Sequence, residues 1–345
     1  MAGMKLAGTL LLWTAAMTQA ANYTAERIQV EGFDVIRLAD EKTSTEVRIL
    51  PSFGNNAYQM TVRGQNVLWP AYQTLREWKA KPTQMGNPFL APWVNRIDGD
   101  SYFANGKQYT LNSGLGNFRR DGNGKPIHGL LVYASWDVKS LRADDREAVL
   151  VSRLEFWRNP DWLAQFPFAH NIEMIHRLRD GVLEVETVLE NLSHEPMPVS
   201  LGYHSYYQVP DAPRDEWQVH LAARERLVLS KELVPTGERT KLDLPDPMPL
   251  GGAQLDDGFT SLVREANGRA VFWVRGKRQK IEVEFGPNYP VSVVYAPRGR
   301  PFICFEPMSG VTNVFNLAHE GKFPLQSVPP GGAWRESFWV RPSGF

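Results

Sequence analysis

The sequence has one cysteine, Cys304, in 345 residues. That excludes an intramolecular disulfide, and no cysteine-based metal site is expected. The chain also has no excess of either charge, since 38 Lys and Arg balance 38 Asp and Glu. No global field then favours nucleic acid or an anionic membrane. Past Met17 no apolar run approaches the roughly 20 residues that a bilayer-spanning helix needs. No histidine pair stands at helical metal-ligand spacing, and no zinc site is expected at His170, His176, His194, His220 or His319. Internal repeats, low-complexity tracts and long linkers are missing too.

What is present is an ordinary globular balance, 43% hydrophobic and 22% charged, able to build a large core without covalent staples. Its amino terminus reads as a signal peptide over residues 1–20. Lys5 gives a weakly positive start, residues 6–17 are apolar, and Thr18-Gln19-Ala20 offers small residues near a cleavage point. The expectation is an exported protein, periplasmic or secreted, with a retained tether as the alternative. Residues 21–345 are expected to form one domain.

Short alternating segments recur between turn signals at 46–50, 58–62, 148–156, 182–190, 270–274, 280–285, 291–295 and 336–340. In residues 182–190, Leu183, Val185 and Leu189 fall at even spacing, on one face of a strand. Breaks such as Asp121-Gly122-Asn123-Gly124 and Pro329-Pro330-Gly331-Gly332 separate the segments. Many short strands at this spacing predict an all-β fold, a large antiparallel β-sandwich or barrel. The one expected helix, over residues 72–80, is short.

Four segments concentrate functional side chains. In the first, two prolines fix an irregular path before Asn95 and Arg96. The Arg96 fork suits adjacent hydroxyl oxygens, and equally a salt bridge to Asp98 or Asp100. His128 precedes Gly129, which would let a ligand approach closely, although a satisfied structural histidine fits as well. His204 sits in an aromatic, glycine-containing strand, either as a group that titrates near neutrality or as one bonded to backbone. Glu306 ends the run Pro301-Phe302-Ile303-Cys304-Phe305, apolar enough for a strand buried on both faces. A carboxyl there is costly unless bonded, paired or used, and desolvation pushes its pKa up towards that of a useful base. Asp256 and Asp257, before Gly258, read most simply as a turn.

Together these segments resemble the aldose 1-epimerase (galactose mutarotase) family, from about Pro51 to the end. The likeness is carried by Pro92-Trp93-Val94-Asn95-Arg96-Ile97-Asp98-Gly99 with Ile127-His128-Gly129, and by Gly202-Tyr203-His204-Ser205-Tyr206-Tyr207. Val234-Pro235-Thr236-Gly237-Glu238 and Phe302-Ile303-Cys304-Phe305-Glu306-Pro307 complete it. Each motif alone is weak; their order and spacing together are specific. The resemblance implies a supersandwich of the galactose mutarotase type, no cofactor and a small-molecule sugar substrate. It implies Glu306 and His204 as the acid/base pair, with Arg96, His128, Asn95 and Asp257 as substrate-binding residues. The loops at 69–81 and 159–168 and the Tyr-His-Ser-Tyr-Tyr run depart from the family pattern, which bears on the substrate more than on the reaction. A non-catalytic carbohydrate-binding module on the same fold is the alternative. A glycoside hydrolase is less well matched, because Glu306 has no equally convincing carboxylate partner.

Overall fold

Four dipeptides ending in glycine set the register of much of the chain. In the computed structural model, which describes residues 22–345, Glu31-Gly32, Arg63-Gly64, Asn105-Gly106 and Asp180-Gly181 all have positive φ at both positions. Each joins paired residues, Val30 to Phe33, Val62 to Gln65, Ala104 to Lys107 and Arg179 to Val182, as a two-residue hairpin. This backbone twist matches that of the flanking strands, and glycine takes its second position without a Cβ penalty. The expected signal segment lies outside the described residues.

Three antiparallel sheets dominate. A five-stranded meander runs from Tyr23–Val30 through Phe33–Asp40, Thr45–Leu50 and Asn56–Val62 to Gln65–Asn66. A nine-stranded sheet has His170–Arg179, Val182–Asn191, Ala333–Ser343, Lys280–Phe285 and Ala270–Arg275 at its centre. An eight-stranded sheet carries Ala223–Leu229, Leu255–Leu262, Val291–Ala296, Ile303–Met308 and Gly202–Tyr203 in succession. The fold is therefore the all-β sandwich that the alternation predicts. The first two strands of the meander lie against Asp137–Ala143 and Ala148–Glu155 of the nine-stranded sheet. There the buried Asp40 carboxylate accepts a hydrogen bond from the Gly181 amide at 2.8 Å.

The core forms where the nine- and eight-stranded sheets face one another. Phe272 meets Phe305 at 5.9 Å between ring centroids, and Tyr203 meets Phe338 at 4.7 Å. Tyr203 also shares a 2.6 Å hydrogen bond with Thr187 across the sheets, so its hydroxyl is buried without being orphaned. Each fully buried ring contributes about 1.5–3 kcal/mol of transfer free energy. The outer face of the nine-stranded sheet alternates charge instead: Arg177 pairs with Glu186 at 2.6 Å and Arg341 with Glu284 at 3.0 Å.

The strand Ile303–Met308 is buried at every residue. Phe305 fills the inter-sheet core, while Cys304 and Glu306 point to the opposite face, covered by loops. That double cover explains the unbroken apolar run. The expected helix over 72–80 is realised as Leu75–Ala80, starting one residue after Thr74, which forms a reciprocal capping box with Glu77. Two more short helices, Pro160–Gln165 and Val314–His319, escaped the periodicity because one or two turns show no repeat.

Candidate active site

On the outer face of the eight-stranded sheet, register decides which side chains meet. Glu306 pairs with Val293, Cys304 with Tyr295, and Tyr295 in turn with Asp256. With a period of two, Asp256, Tyr295, Val293, Cys304 and Glu306 share one face. Above them lies a cavity of about 230 Å³, lined by all of these except Cys304 and also by Gln84, Asn95, Arg96, His128, His204 and Tyr206. It exceeds the roughly 150 Å³ that holds one benzene ring, and it is polar, as a hydroxylated ring requires.

His204 lies between strands and not within one. The chain pairs at Gly202–Tyr203, leaves the sheet, and pairs again at Tyr206–Tyr207 against Cys304 and Ile303. The His204 amide donates to the Pro88 carbonyl at 2.9 Å and the Tyr206 amide to that of Gly86 at 2.8 Å. Ser205 donates to the Asn87 side chain. The imidazole stacks on Tyr206, 4.7 Å between centroids and 13° from parallel, with the His128 ring edge-on at 5.4 Å. Its Nε2 stands 3.3 Å from Glu306 Oε1.

A second construction brings in Asn95, Arg96 and His128. Asn95, His128 and Gly129 all have positive φ, and the His128 amide donates to the Asn95 carbonyl at 2.8 Å. Gly129 is required, since a Cβ there would lie 2.1 Å from the Ala91 carbonyl oxygen. That oxygen accepts from the amides of Leu130 at 2.7 Å and Leu131 at 3.2 Å, so it is fixed. Arg96 is indeed ion-paired, but neither with Asp98 nor with Asp100. Its Nε donates to Asp121 at 2.6 Å and its Nη1 to Asn95 Oδ1 at 2.9 Å. Asp98 instead holds Lys125 at 2.5 Å and Asp100 holds Arg120 at 2.7 Å. The pair with Asp121 clamps the guanidinium at the cavity wall.

Asp257 does not join this group. It shares the side of Phe259, whose ring is fully buried, and its carboxylate takes Arg226 Nη2 at 2.6 Å and Nε at 3.0 Å. Asp256 lines the cavity in its place. The Asp-Asp-Gly triplet lies inside the strand Leu255–Leu262, not in a turn, so adjacent residues face opposite ways. Phe259 was the available signal: an inward aromatic two residues on assigns Asp257 to its side and Asp256 to the other. Nothing local marks Gln84 or Tyr295, which reach the cavity only through tertiary packing.

Burial governs the site's electrostatics. Desolvation pushes the Glu306 carboxyl well above the ordinary carboxylate range, the Asp256 charge adds to this, and Arg96 opposes it. Burial pulls His204 down to about 3, with nearby Arg119 acting the same way. His128 is held well below its ordinary value by burial, then by His204, Arg119 and Arg96. Asp256 is raised by its own burial against the pull of Arg96. Burial thus opposes charge on both Glu306 and His204. Neither carboxyl oxygen of Glu306, nor Nδ1 of His204 or His128, has a hydrogen-bond partner. Unlike most other unpaired buried groups, these line a cavity, which makes them candidates to meet a ligand. His204 and Glu306 on the cavity floor, with Cys304 buried beside them against Tyr206 and Phe302, also bring potential metal-ligand atoms within 4.8 Å of one another.

Comparison with known proteins supports the same architecture. The aldose 1-epimerase family model matches residues 35–341. The chain is 23% identical over 234 residues to the uncharacterized protein YihR of Escherichia coli K12, covering 66% of this chain and 70% of that protein. A galactose mutarotase-like protein from Clostridium acetobutylicum superposes with a TM-score of 0.82 at 21% identity, over 94% of this chain and 98% of the other. For galactose 1-epimerase from Lactobacillus acidophilus NCFM the TM-score is 0.71 at 13% identity, over 94% and 99% of the two chains. At these identities the structural likeness establishes the galactose mutarotase-like fold.

Proposed function

The chain belongs to the aldose 1-epimerase family, and on that premise we propose that it interconverts the α and β anomers of a free aldose. The observation that carries this reading is the Glu306–His204 pair. The two groups stand 3.3 Å apart at the floor of a polar cavity, with the carboxyl oxygens unpartnered.

Anomer exchange needs one group that accepts a proton while another gives one, each returning to its starting state. Glu306 takes the proton of the anomeric hydroxyl as His204 delivers one to the ring oxygen. The C1–O5 bond breaks with its electron pair left on O5, and the O1 electrons form the aldehyde carbonyl. Rotation about C1–C2 presents the other carbonyl face, and reclosure runs the transfers backwards. Burial opposes charge on both groups. A bound sugar supplies hydroxyl donors to Glu306, which favour its carboxylate and leave the proton to His204. Arg96 can donate to neighbouring hydroxyls, Asn95 and His128 line the same wall, and Asp256 replaces Asp257 as the hydroxyl-binding carboxylate.

The test is polarimetry on freshly dissolved α-glucose and α-galactose with the wild type and the Glu306→Gln and His204→Asn variants. Acceleration by the wild type, reduced on the order of 10²–10⁴-fold in each folded variant, is the expected result. Sugar binding without acceleration would replace this reading with a non-catalytic carbohydrate-binding module. We further propose that residues 1–20 direct export, so that the reaction supplies one anomer to sugar uptake; a cytoplasmic mature protein on fractionation would overturn that.

A further inference from the structure

We propose that a thiophilic divalent cation, Zn²⁺ or Cd²⁺, also binds at the foot of the cavity, through His204 and Glu306, which line it, and Cys304, buried beside them, and that the bound ion blocks the acid/base pair. Cys304 precedes Glu306 by two residues on one strand, so both side chains leave the sheet on the same face. Tyr206 pairs directly with Cys304, and this pairing places His204 over both. The three ligand atoms lie within 4.8 Å of one another, and His204 Nε2 and Glu306 Oε1 are 3.3 Å apart. Tetrahedral ligand bonds of about 2.0–2.3 Å separate neighbouring ligand atoms by roughly 3.3–3.8 Å. One pair already has that spacing, and the third ligand atom lies within 4.8 Å of both.

The donor set selects the ion. One sulfur, one imidazole and one carboxylate suit zinc and its heavier congener, whereas Mg²⁺ and Ca²⁺ ask for several oxygens. A coordinating thiol is deprotonated by the metal, so burial of Cys304 is no obstacle. Thiolate and carboxylate together cancel the charge of the ion, which avoids placing net charge in a buried site. Neither Glu306 oxygen gives up a protein hydrogen bond on binding. The cavity supplies the fourth position to water or to a sugar hydroxyl. Inhibition follows because the ion occupies the lone pairs that would otherwise move protons. The binding stands on geometry alone; the inhibition rests on the proposed epimerase reading.

The experiment titrates Cd²⁺ into the tag-free protein and follows the ultraviolet thiolate-to-cadmium charge-transfer band, with Zn²⁺ as competitor. In parallel, polarimetry is run with and without Zn²⁺. The expected result is a saturable band of one ion per chain in the wild type that Zn²⁺ displaces. Cys304→Ser and Cys304→Ala should show no band, keep mutarotation without metal, and need at least about 10-fold more Zn²⁺ for inhibition, since even outer-shell losses weaken metal sites 10–100-fold. His204→Asn should also weaken the band, which a cysteine acting alone would not explain. A wild-type protein without the band, or serine and alanine variants as sensitive to Zn²⁺ as wild type, would overturn the proposal. A normal band on a protein that accelerates no anomer exchange would confirm the metal site and remove the epimerase reading.

Discussion

Gly129 offers the sharpest test of how the fold builds the site. Replacing it with alanine places a Cβ 2.1 Å from the Ala91 oxygen and 2.4 Å from its carbonyl carbon, with φ at +65°. Real Cβ contacts are essentially never under 3.0 Å, so the two backbones must part by about 0.9 Å. The left-handed conformation costs about 1–2 kcal/mol for alanine. Moving the Ala91 carbonyl also disturbs its hydrogen bonds from Leu130 and Leu131, each worth about 0.5–1.5 kcal/mol. The expected loss is therefore about 2–5 kcal/mol. Gly124→Ala is the control, because Gly124 has φ at +77° but nothing within 4 Å of its added Cβ. It should lose only the conformational part, about 1–2 kcal/mol. Displacement at Gly129 also shifts His128 beside it and the Asn95-Arg96 segment bonded to it. A misplacement of about 1 Å in a catalytic constellation costs on the order of 10²-fold in rate. Urea denaturation and polarimetric kcat/KM on both variants decide the matter. Equal stability and equal activity of the two would refute the claim that this contact shapes the site.

Three further outcomes follow from the same structure. Asp256→Asn should lower kcat/KM on the order of 10²-fold, whereas Asp257→Asn, which weakens only the pair between the buried Asp257 and the half-exposed Arg226, should change stability by about 1 kcal/mol and leave steady-state kinetics near wild type. Arg96→Lys loses the fork that spans Asp121 and Asn95, so KM for the sugar should rise well beyond any change in kcat, read from full progress curves. His176 is fully buried with both ring nitrogens unpaired, and burial lowers its pKa from 6.5 to about 3. The unfolded chain takes up this proton below pH 6.5 while the folded one refuses it. The stability is thus present above 6.5 and lost on acidification at about 1.36 kcal/mol per pH unit, or about 2 kcal/mol by about pH 5. Urea midpoints near neutrality and near pH 5 should show this loss in the wild type and its absence in His176→Leu; parallel pH dependence in the two would count against it.

Much of this protein was legible in one dimension because its signals are local. Alternation in residues 182–190 marked a strand with one apolar face, Gly- and Pro-rich breaks separated the strands, and the unbroken run before Glu306 marked a strand covered on both sides. Burial of a carboxyl is a property of its own strand, so Glu306 stood out before any contact was known. His204, Arg96 and His128 were recognisable by the order of their motifs. Tertiary structure alone decided what these groups meet. Arg96 reaches Asp121 and not a nearer aspartate, because the turn at 121–124 folds back over it. The choice between Asp256 and Asp257 depended on strand parity, which a single-residue shift inverts. The grouping of His204, Cys304 and Glu306, like the arrival of Gln84 and Tyr295, depends on pairing between distant strands. Composition and periodicity record which face of a strand is buried; they carry no information on which other strand lies beside it.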